Sequence, residues 1–284
     1  MILVTGATGL IGQHLIKELL NDNVPIKCLY NKTKPNLEHP SLQWVSGNIS
    51  DVDTLVNLFE NVDYVYHCAA MVSFDSKLTN SILDANVEGT KNIINLCLEK
   101  KIKKLIYISS VATLDKKILN KNIFLSETNI LENPAQENIY AYSKFLAELE
   151  VWRGIEEGLC TNIVLPSIVL GSGNWNNSSI ALFKQAYNEF PFYNSGTNGF
   201  VDVLDVVKAC ILLMKADLHS EKFILNGSNL SWKEITSLNA TEFDKRKPFI
   251  YFPKMLVPFF SISAYLISLI LGKKNKLSNE LIQS

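Results

Sequence analysis

The chain has 284 residues, 47% of them hydrophobic and 19% charged, which suffices for one large domain or two unequal lobes around a sizeable core. A net charge of -1 gives no electrostatic basis for binding nucleic acid. The five cysteines (Cys28, Cys68, Cys97, Cys160, Cys210) are scattered through apolar runs without CxxC spacing, and the four histidines are isolated, so we expect free thiols in a reducing compartment and no metal site.

Ile2–Val4 reads as a short buried strand. It begins at residue 2, so no signal peptide is expected ahead of it and a cytoplasmic location follows. Thr5-Gly6-Ala7-Thr8-Gly9-Leu10-Ile11-Gly12 comes next, then a helix-like run, Gln13–Leu20. Strand, glycine turn and helix in this order form the setting that holds a dinucleotide. Gly6 permits the tight turn, Gly9 lets the backbone approach a pyrophosphate, and Gly12 lets helix and strand pack closely. The free N–H groups and positive dipole end of the helix face the phosphates. Thr8, Leu10 and Ile11 are read with the three glycines as cofactor contacts.

Further strands are predicted at Ile26–Tyr30, Gln43–Val45, Asp63–His67, Lys104–Ser109 and Asn162–Leu165. Helical patterns lie at Thr54–Phe59, Thr79–Lys100 and Tyr140–Glu157. The alternation predicts an α/β fold, a doubly wound parallel Rossmann sheet that binds ligands at the carboxyl ends of its strands. After residue 170 the pattern loosens. Gly171–Asn177 is a loop by composition, Phe200–Val207 a strand-and-helix run, Lys222–Leu225 another strand, and 228–284 an irregular, partly helical tail. Residues 1–170, with 200–226 returning to them, are therefore expected to form the dinucleotide-binding domain. Residues 171–199 and 227–284 are expected to form a smaller substrate-binding lobe, shaped around Trp175, Tyr187 and Phe190–Tyr193. Met255 to Gly272 carries no charged residue, but Pro258 and several serines argue against a spanning helix. We read it as an apolar helix covering the substrate lobe, with membrane-surface contact as the alternative. The helix-like stretch reaching Ser284 leads us to expect further elements beyond it.

Tyr140 and Lys144 stand four apart, on one face of a predicted helix. A phenol with a pKa near 10 is a poor acid–base group at neutral pH. A neighbouring ammonium favours the phenolate and is expected to lower that pKa. Tyr140 can then exchange a proton with a carbonyl or alcohol oxygen while hydride moves at carbon, and Lys144 can also bond ribose hydroxyls. Alone, such a pair is most often a surface contact. The glycine loop and the Ser109-Ser110 ending of the fifth strand turn the reading toward catalysis. Ser110 is expected to hydrogen-bond the substrate oxygen, and Ser109 to cap the following turn. The end of the second strand, Cys28–Lys34, offers no carboxylate to a ribose 2′-hydroxyl but carries Lys32 and Lys34. Asn31 and Lys32 are read as cofactor contacts and NADP as the cofactor, with NAD as the alternative.

Taken together these segments resemble an extended short-chain dehydrogenase/reductase of the NAD-dependent epimerase/dehydratase kind, over nearly the whole chain. Thr5–Gly12 is similar to the TGxxGxxG loop. Gly47–Asp51 resembles the GDxxD segment, implying that Asn48 and Ile49 lie beside adenine. His67–Ala70 resembles the HxAA strand end, implying Cys68, Ala69 and Ala70 under the cofactor. Asn86–Asn92 resembles NxxGTxN, implying that Asn86 supports the site through a water or backbone contact. Ser110, Tyr140 and Lys144 fall on the catalytic set. Leu165–Gly171 resembles RPxxVxG, implying Pro166 and Ile168 as cofactor contacts, and Phe200–Val206 resembles FVDVxDV. Asn48 and Leu165 depart from the usual aspartate and arginine, and Leu114 and Asp115 from the tyrosine and glycine of many sugar-nucleotide members. The uncharged stretch after Pro253 resembles the dihydroflavonol-reductase and 3β-hydroxysteroid-dehydrogenase branch. That branch implies interconversion of ketone or aldehyde and alcohol on a bulky, fairly apolar small molecule. The rivals are a nucleotide-sugar epimerase or dehydratase with tightly bound NAD, and a non-catalytic NADP sensor, which has no need of an intact Ser110–Tyr140–Lys144 set. The resemblance also implies a homodimer made through the helices around 79–100 and 140–157.

Overall fold

The computed structural model describes residues 1–116, 124–175 and 178–253. The uncharged Met255–Gly272 segment therefore lies outside the described residues. In chain order the elements are β1 (Ile2–Thr5), α1 (Leu10–Leu20), β2 (Ile26–Tyr30), β3 (Leu42–Ser46), α2 (Val52–Val56), β4 (Tyr64–His67), α3 (Thr79–Leu83), α4 (Gly89–Glu99) and β5 (Lys104–Ile108). Then come α5 (Ile139–Glu156), β6 (Thr161–Pro166), β7 (Ile168–Leu170), α6 (Ala181–Tyr187), β8 (Phe192–Tyr193), β9 (Thr197–Asp202), α7 (Val203–Lys215), β10 (Glu221–Leu225), β11 (Ser228–Ser231), α8 (Trp232–Glu242) and β12 (Ile250–Tyr251).

Seven strands form a parallel sheet in the order β10-β6-β5-β4-β1-β2-β3. The order reverses between β1 and β4, which is where a doubly wound sheet opens a ligand crevice. β1 is buried along its whole length, and its side chains alternate between two cores. Leu3, with Val65, Leu105, Tyr107 and Ile163, packs under α2, α4 and α5 through Leu55, Ile93, Cys97, Ala147 and Val151. Ile2 and Val4, with Tyr66, Ile106 and Val164, pack under α1 and α7 through Leu15, Ile16, Val206, Val207 and Cys210. Each buried Leu, Ile or Val here contributes about 1.5–3 kcal/mol relative to exposure, which fixes the helices on both faces.

The predicted helix over 79–100 is interrupted. Asp84–Glu88 forms a π-helical turn between α3 and α4, with the Gly89 N–H reaching back to the Asp84 carbonyl. Asn86 lies buried within this turn, and such turns recur at functional sites.

Beside the large sheet, β7, β9 and β11 form a three-stranded sheet, and β8 pairs with β12. β7 and β9 thus leave the Rossmann sheet, while α7 and β10 return to it. α6 packs on α8 through an aromatic cluster of Trp175, Phe183, Tyr187 and Phe243, with ring centroids 5.3–6.5 Å apart. Among the described residues no helix is long and apolar enough to cross a membrane, and no three His, Cys, Asp or Glu side chains gather to hold a metal ion.

Candidate active site

The glycine turn is built by close approach. Gly6 has φ +66°, and a Cβ there would lie 2.5 Å from the Ala69 nitrogen. A Cβ on Gly12 would lie 2.2 Å from the Gly6 carbonyl oxygen, so only glycine lets α1 sit this close to the turn. Gly9 differs: its Cβ would meet only the Gly6 oxygen, at 3.2 Å, leaving its outer side open. α1 starts at Gly9 with no side-chain cap and no acidic residue in its first turn. The N–H groups of Leu10, Ile11 and Gly12 thus face that opening without an intrahelical acceptor, which fits a pyrophosphate.

The remaining predicted cofactor residues also lie at carboxyl ends of strands. Asn31 and Lys32 are exposed just after β2. Asn48 and Ile49 follow β3. There the Asn48 Oδ1 accepts the Ser50 N–H at 3.3 Å, and the Ile49 carbonyl accepts Asn92 Nδ2 at 3.1 Å. Cys68, Ala69 and Ala70 follow β4, and Pro166 and Ile168 flank the break between β6 and β7. Thr8 is exposed before α1, and its carbonyl accepts Gln13 Nε2 at 2.7 Å.

Asn138 caps α5 by accepting the Ala141 N–H, and the helix carries Tyr140 and Lys144 along its inner face. The Tyr140 ring stands edge-on to Phe74 with centroids 5.8 Å apart. Ser110, just after β5, is the polar neighbour of the Tyr140 hydroxyl. Lys144 is buried; its Nζ donates to the Ile108 carbonyl at 2.6 Å and lies 4.4 Å from the centre of the Tyr107 ring. Two expectations are corrected here. The Tyr140 pKa is raised, not lowered, because burial outweighs the opposing hydrogen bond from Ser110. One turn below, burial brings Lys144 down to about 7, against the opposing pull of Glu148 and Cys68. Second, Ser109 does not cap the turn. Its hydroxyl donates to Glu148 at 2.7 Å, and the cap is Ser110, whose Oγ accepts the Ala112 N–H at 3.1 Å. Acting as acceptor there leaves the Ser110 proton for Tyr140 or for a substrate oxygen.

Asn86 works through direct contacts. Its Oδ1 accepts the Met71 N–H at 2.7 Å, and its Nδ2 donates to the Met71 carbonyl at 3.0 Å and to Ser143 Oγ at 2.8 Å. It therefore clamps the loop after β4, which carries Phe74, to the helix that carries Tyr140. Sequence reasoning missed a second clamp. Thr5 and His67 are register partners on β1 and β4, with Thr5 Oγ1 2.6 Å from His67 Nδ1, and His67 Nε2 is 3.0 Å from Thr90 Oγ1. Burial holds His67 neutral, its pKa brought down to about 3. The signal was available as polar residues ending two apolar strands that had to be neighbours. Phe74 and Glu148 were also missed; Glu148 continues the four-residue spacing of Tyr140 and Lys144.

The sequence profile of the NAD dependent epimerase/dehydratase family matches residues 2–225, from β1 through β10. The chain belongs to this family. Among similar proteins, a Synechocystis sp. protein whose name assigns it to dihydroflavonol 4-reductase is 28% identical over 249 residues, 84% of this chain and 71% of that one. Cinnamoyl-CoA reductase 2 of Arabidopsis thaliana is 26% identical over 263 residues, 86% of this chain and 77% of the relative. The solved structure of gox2253 superposes with a TM-score of 0.81 at 26% identity, covering 99% of this chain and 86% of that one. A UDP-glucose 4-epimerase from Thermotoga maritima shares the fold, with a TM-score of 0.76 at 20% identity, covering 89% and 85% of the two chains. Membership makes the chain an NAD(P)-dependent enzyme acting on a small molecule, and the open face of the Gly6–Gly12 cradle fits the dinucleotide that the family uses.

Proposed function

We propose that the chain is an NADP-dependent reductase or dehydrogenase that interconverts a ketone or aldehyde and an alcohol on a bulky, fairly apolar molecule. The observation that carries this is Tyr140 on the inner face of α5, with Ser110 as the polar neighbour of its hydroxyl and buried Lys144 one helical turn away. Gly6–Gly12 would hold the pyrophosphate, Asn48 and Ile49 the adenine, and Lys144 the ribose hydroxyls. When bound, the dinucleotide supplies or accepts the hydride. Ser110 donates a hydrogen bond that orients the substrate oxygen. Tyr140 gives its phenolic proton to that oxygen as negative charge develops there, and Lys144 stabilises the phenolate left behind. In the oxidative direction the same proton returns to Tyr140.

The β2 end supports NADP over NAD, since Lys32 and Lys34 are exposed there and no carboxylate is present in Cys28–Lys34 to bond a 2′-hydroxyl. An apolar substrate is supported by Phe74 at the catalytic tyrosine and by the Trp175–Phe243 cluster of the substrate side. The reductase names of the relatives point the same way. The nucleotide-sugar epimerases share the fold at lower identity, and the chain has Leu114 and Asp115 where many of them carry tyrosine and glycine. The test is a screen of hydrophobic aldehydes and ketones with NADPH, read at 340 nm and by isolation of the alcohol. Turnover of an aromatic or polycyclic carbonyl with loss of one NADPH per alcohol formed is expected. Turnover confined to nucleotide-sugars with no net cofactor consumption would overturn the reading.

A further inference from the structure

Glu148 is a buried carboxylate in the second turn below Tyr140, and only 5% of its surface is exposed. Burying a carboxylate costs several kcal/mol unless its oxygens are satisfied, and here both are. Oε2 accepts Ser109 Oγ at 2.7 Å and Thr113 Oγ1 at 3.0 Å. Oε1 accepts Lys222 Nζ at 3.3 Å and Trp152 Nε1 at 3.4 Å. Ser109 and Thr113 bracket the turn that carries Ser110, and the Thr113 hydroxyl is shared with the Ser110 carbonyl at 2.9 Å. A single carboxylate therefore grips both ends of the segment that presents Ser110 to Tyr140.

Tyr140, Lys144 and Glu148 stack at four-residue intervals on α5, so Glu148 and Lys144 are neighbours on one helix face. The groups facing Lys144 are Tyr140 and Glu148 on its own helix, His67 and Cys68 at the end of β4, and Tyr107 on β5. His67 stays neutral and burial pushes the Cys68 thiol up to about 12, which leaves Glu148 as the acidic side chain of this group. From the far side Lys222 on β10 meets the same carboxylate.

We propose that Glu148 is a positioning residue for the reaction: its carboxylate fixes the turn bearing Ser110 and faces the Lys144 ammonium that stabilises the Tyr140 phenolate. Like the proposed function, this rests on the Ser110–Tyr140–Lys144 relay. The structure favours this role over a purely architectural one because the carboxylate joins two catalytic segments rather than capping an element end.

The test is the pH dependence of kcat between about pH 6 and 10 for the wild type, Glu148→Gln and Lys222→Gln, with a thermal melt of each. Glu148→Gln keeps the size and an acceptor oxygen but removes the charge. Its alkaline limb should move to lower pH by about one unit or more, with kcat falling more than the carbonyl KM rises. Lys222→Gln removes the competing cation and should move the limb the opposite way. A folded Glu148→Gln with the wild-type profile overturns the proposal. If Glu148→Gln does not fold, Lys222→Gln decides: an upward shift supports the role, and an unchanged profile overturns it. Tyr140→Phe in the same assay separates the two layers. Full turnover there defeats the relay itself, whereas lost turnover there beside a normal Glu148→Gln defeats only the role of Glu148.

Discussion

Substituting Gly9 should destroy cofactor binding while sparing the fold, because its backbone is ordinary and its outer side is open. Its φ of -78° and ψ of 174° suit any L-residue. A Cβ there meets only the Gly6 oxygen, at 3.2 Å. In Gly9→Val the branched side chain instead fills the space in front of the Leu10–Gly12 N–H groups. Two lost charge-assisted hydrogen bonds at about 1.5–3 kcal/mol each come to roughly 3–6 kcal/mol, or about 10²–10⁴-fold in Kd. Gly12→Ala is the contrast, since its Cβ would lie 2.2 Å from the Gly6 oxygen and 2.9 Å from the Ala7 Cα. That collision with backbone costs about 1–3 kcal/mol or more, and each kcal/mol lowers Tm by roughly 2–4 °C in a domain of this size. Titration of NADPH fluorescence and a thermal melt on both variants separate the effects. A Gly9→Val protein that melts normally and binds NADPH with undiminished affinity would refute the proposed phosphate site.

The wild type should bind NADPH more tightly than NADH, and Lys32→Ala should narrow the gap, since a 2′-phosphate makes charge-assisted bonds that a hydroxyl does not; equal Kd values in the wild type contradict this. Lys144 has a folded pKa of about 7 against an ordinary value of 10.5, so between those values the unfolded chain holds the extra proton and stability rises with pH. The Tm of Lys144→Met should accordingly rise less than that of the wild type from pH 7 upward, and parallel curves would contradict the buried placement. Asn86→Ala leaves the Met71 N–H and C=O without their clamp and should cost about 1–3 kcal/mol of stability. It should also lower kcat, with chemical denaturation and steady-state kinetics as the paired checks.

The Rossmann sheet was legible because its strands are apolar on both faces and separated by glycine turns and helical patterns. β2 matches its predicted bounds, and the other predicted strands of the sheet differ by a residue or so at their ends. The π turn at Asp84–Glu88 was not legible, since a one-residue widening leaves the helical spacing nearly intact. α5 hid its inner face for a different reason. That face carries Ser143, Lys144 and Glu148 among Ala141, Ala147 and Val151, so apolar periodicity could not mark Glu148 as buried. Ser109 was misassigned as the cap because adjacent serines after a strand differ only in direction, which the register of β5 decides. The direction of the Tyr140 shift was misjudged because the opposing terms depend on burial depth, which residue spacing does not report.

The relay at Tyr140 is tested most directly by one comparison: turnover of Tyr140→Phe against the wild type on the best carbonyl substrate, with NADPH affinity measured on both. Removing the hydroxyl keeps the ring against Phe74 but takes away the proton. We expect kcat to fall by about 10²–10⁴-fold with NADPH affinity nearly unchanged. Full turnover in a folded Tyr140→Phe would contradict the assignment of Tyr140 as the proton donor.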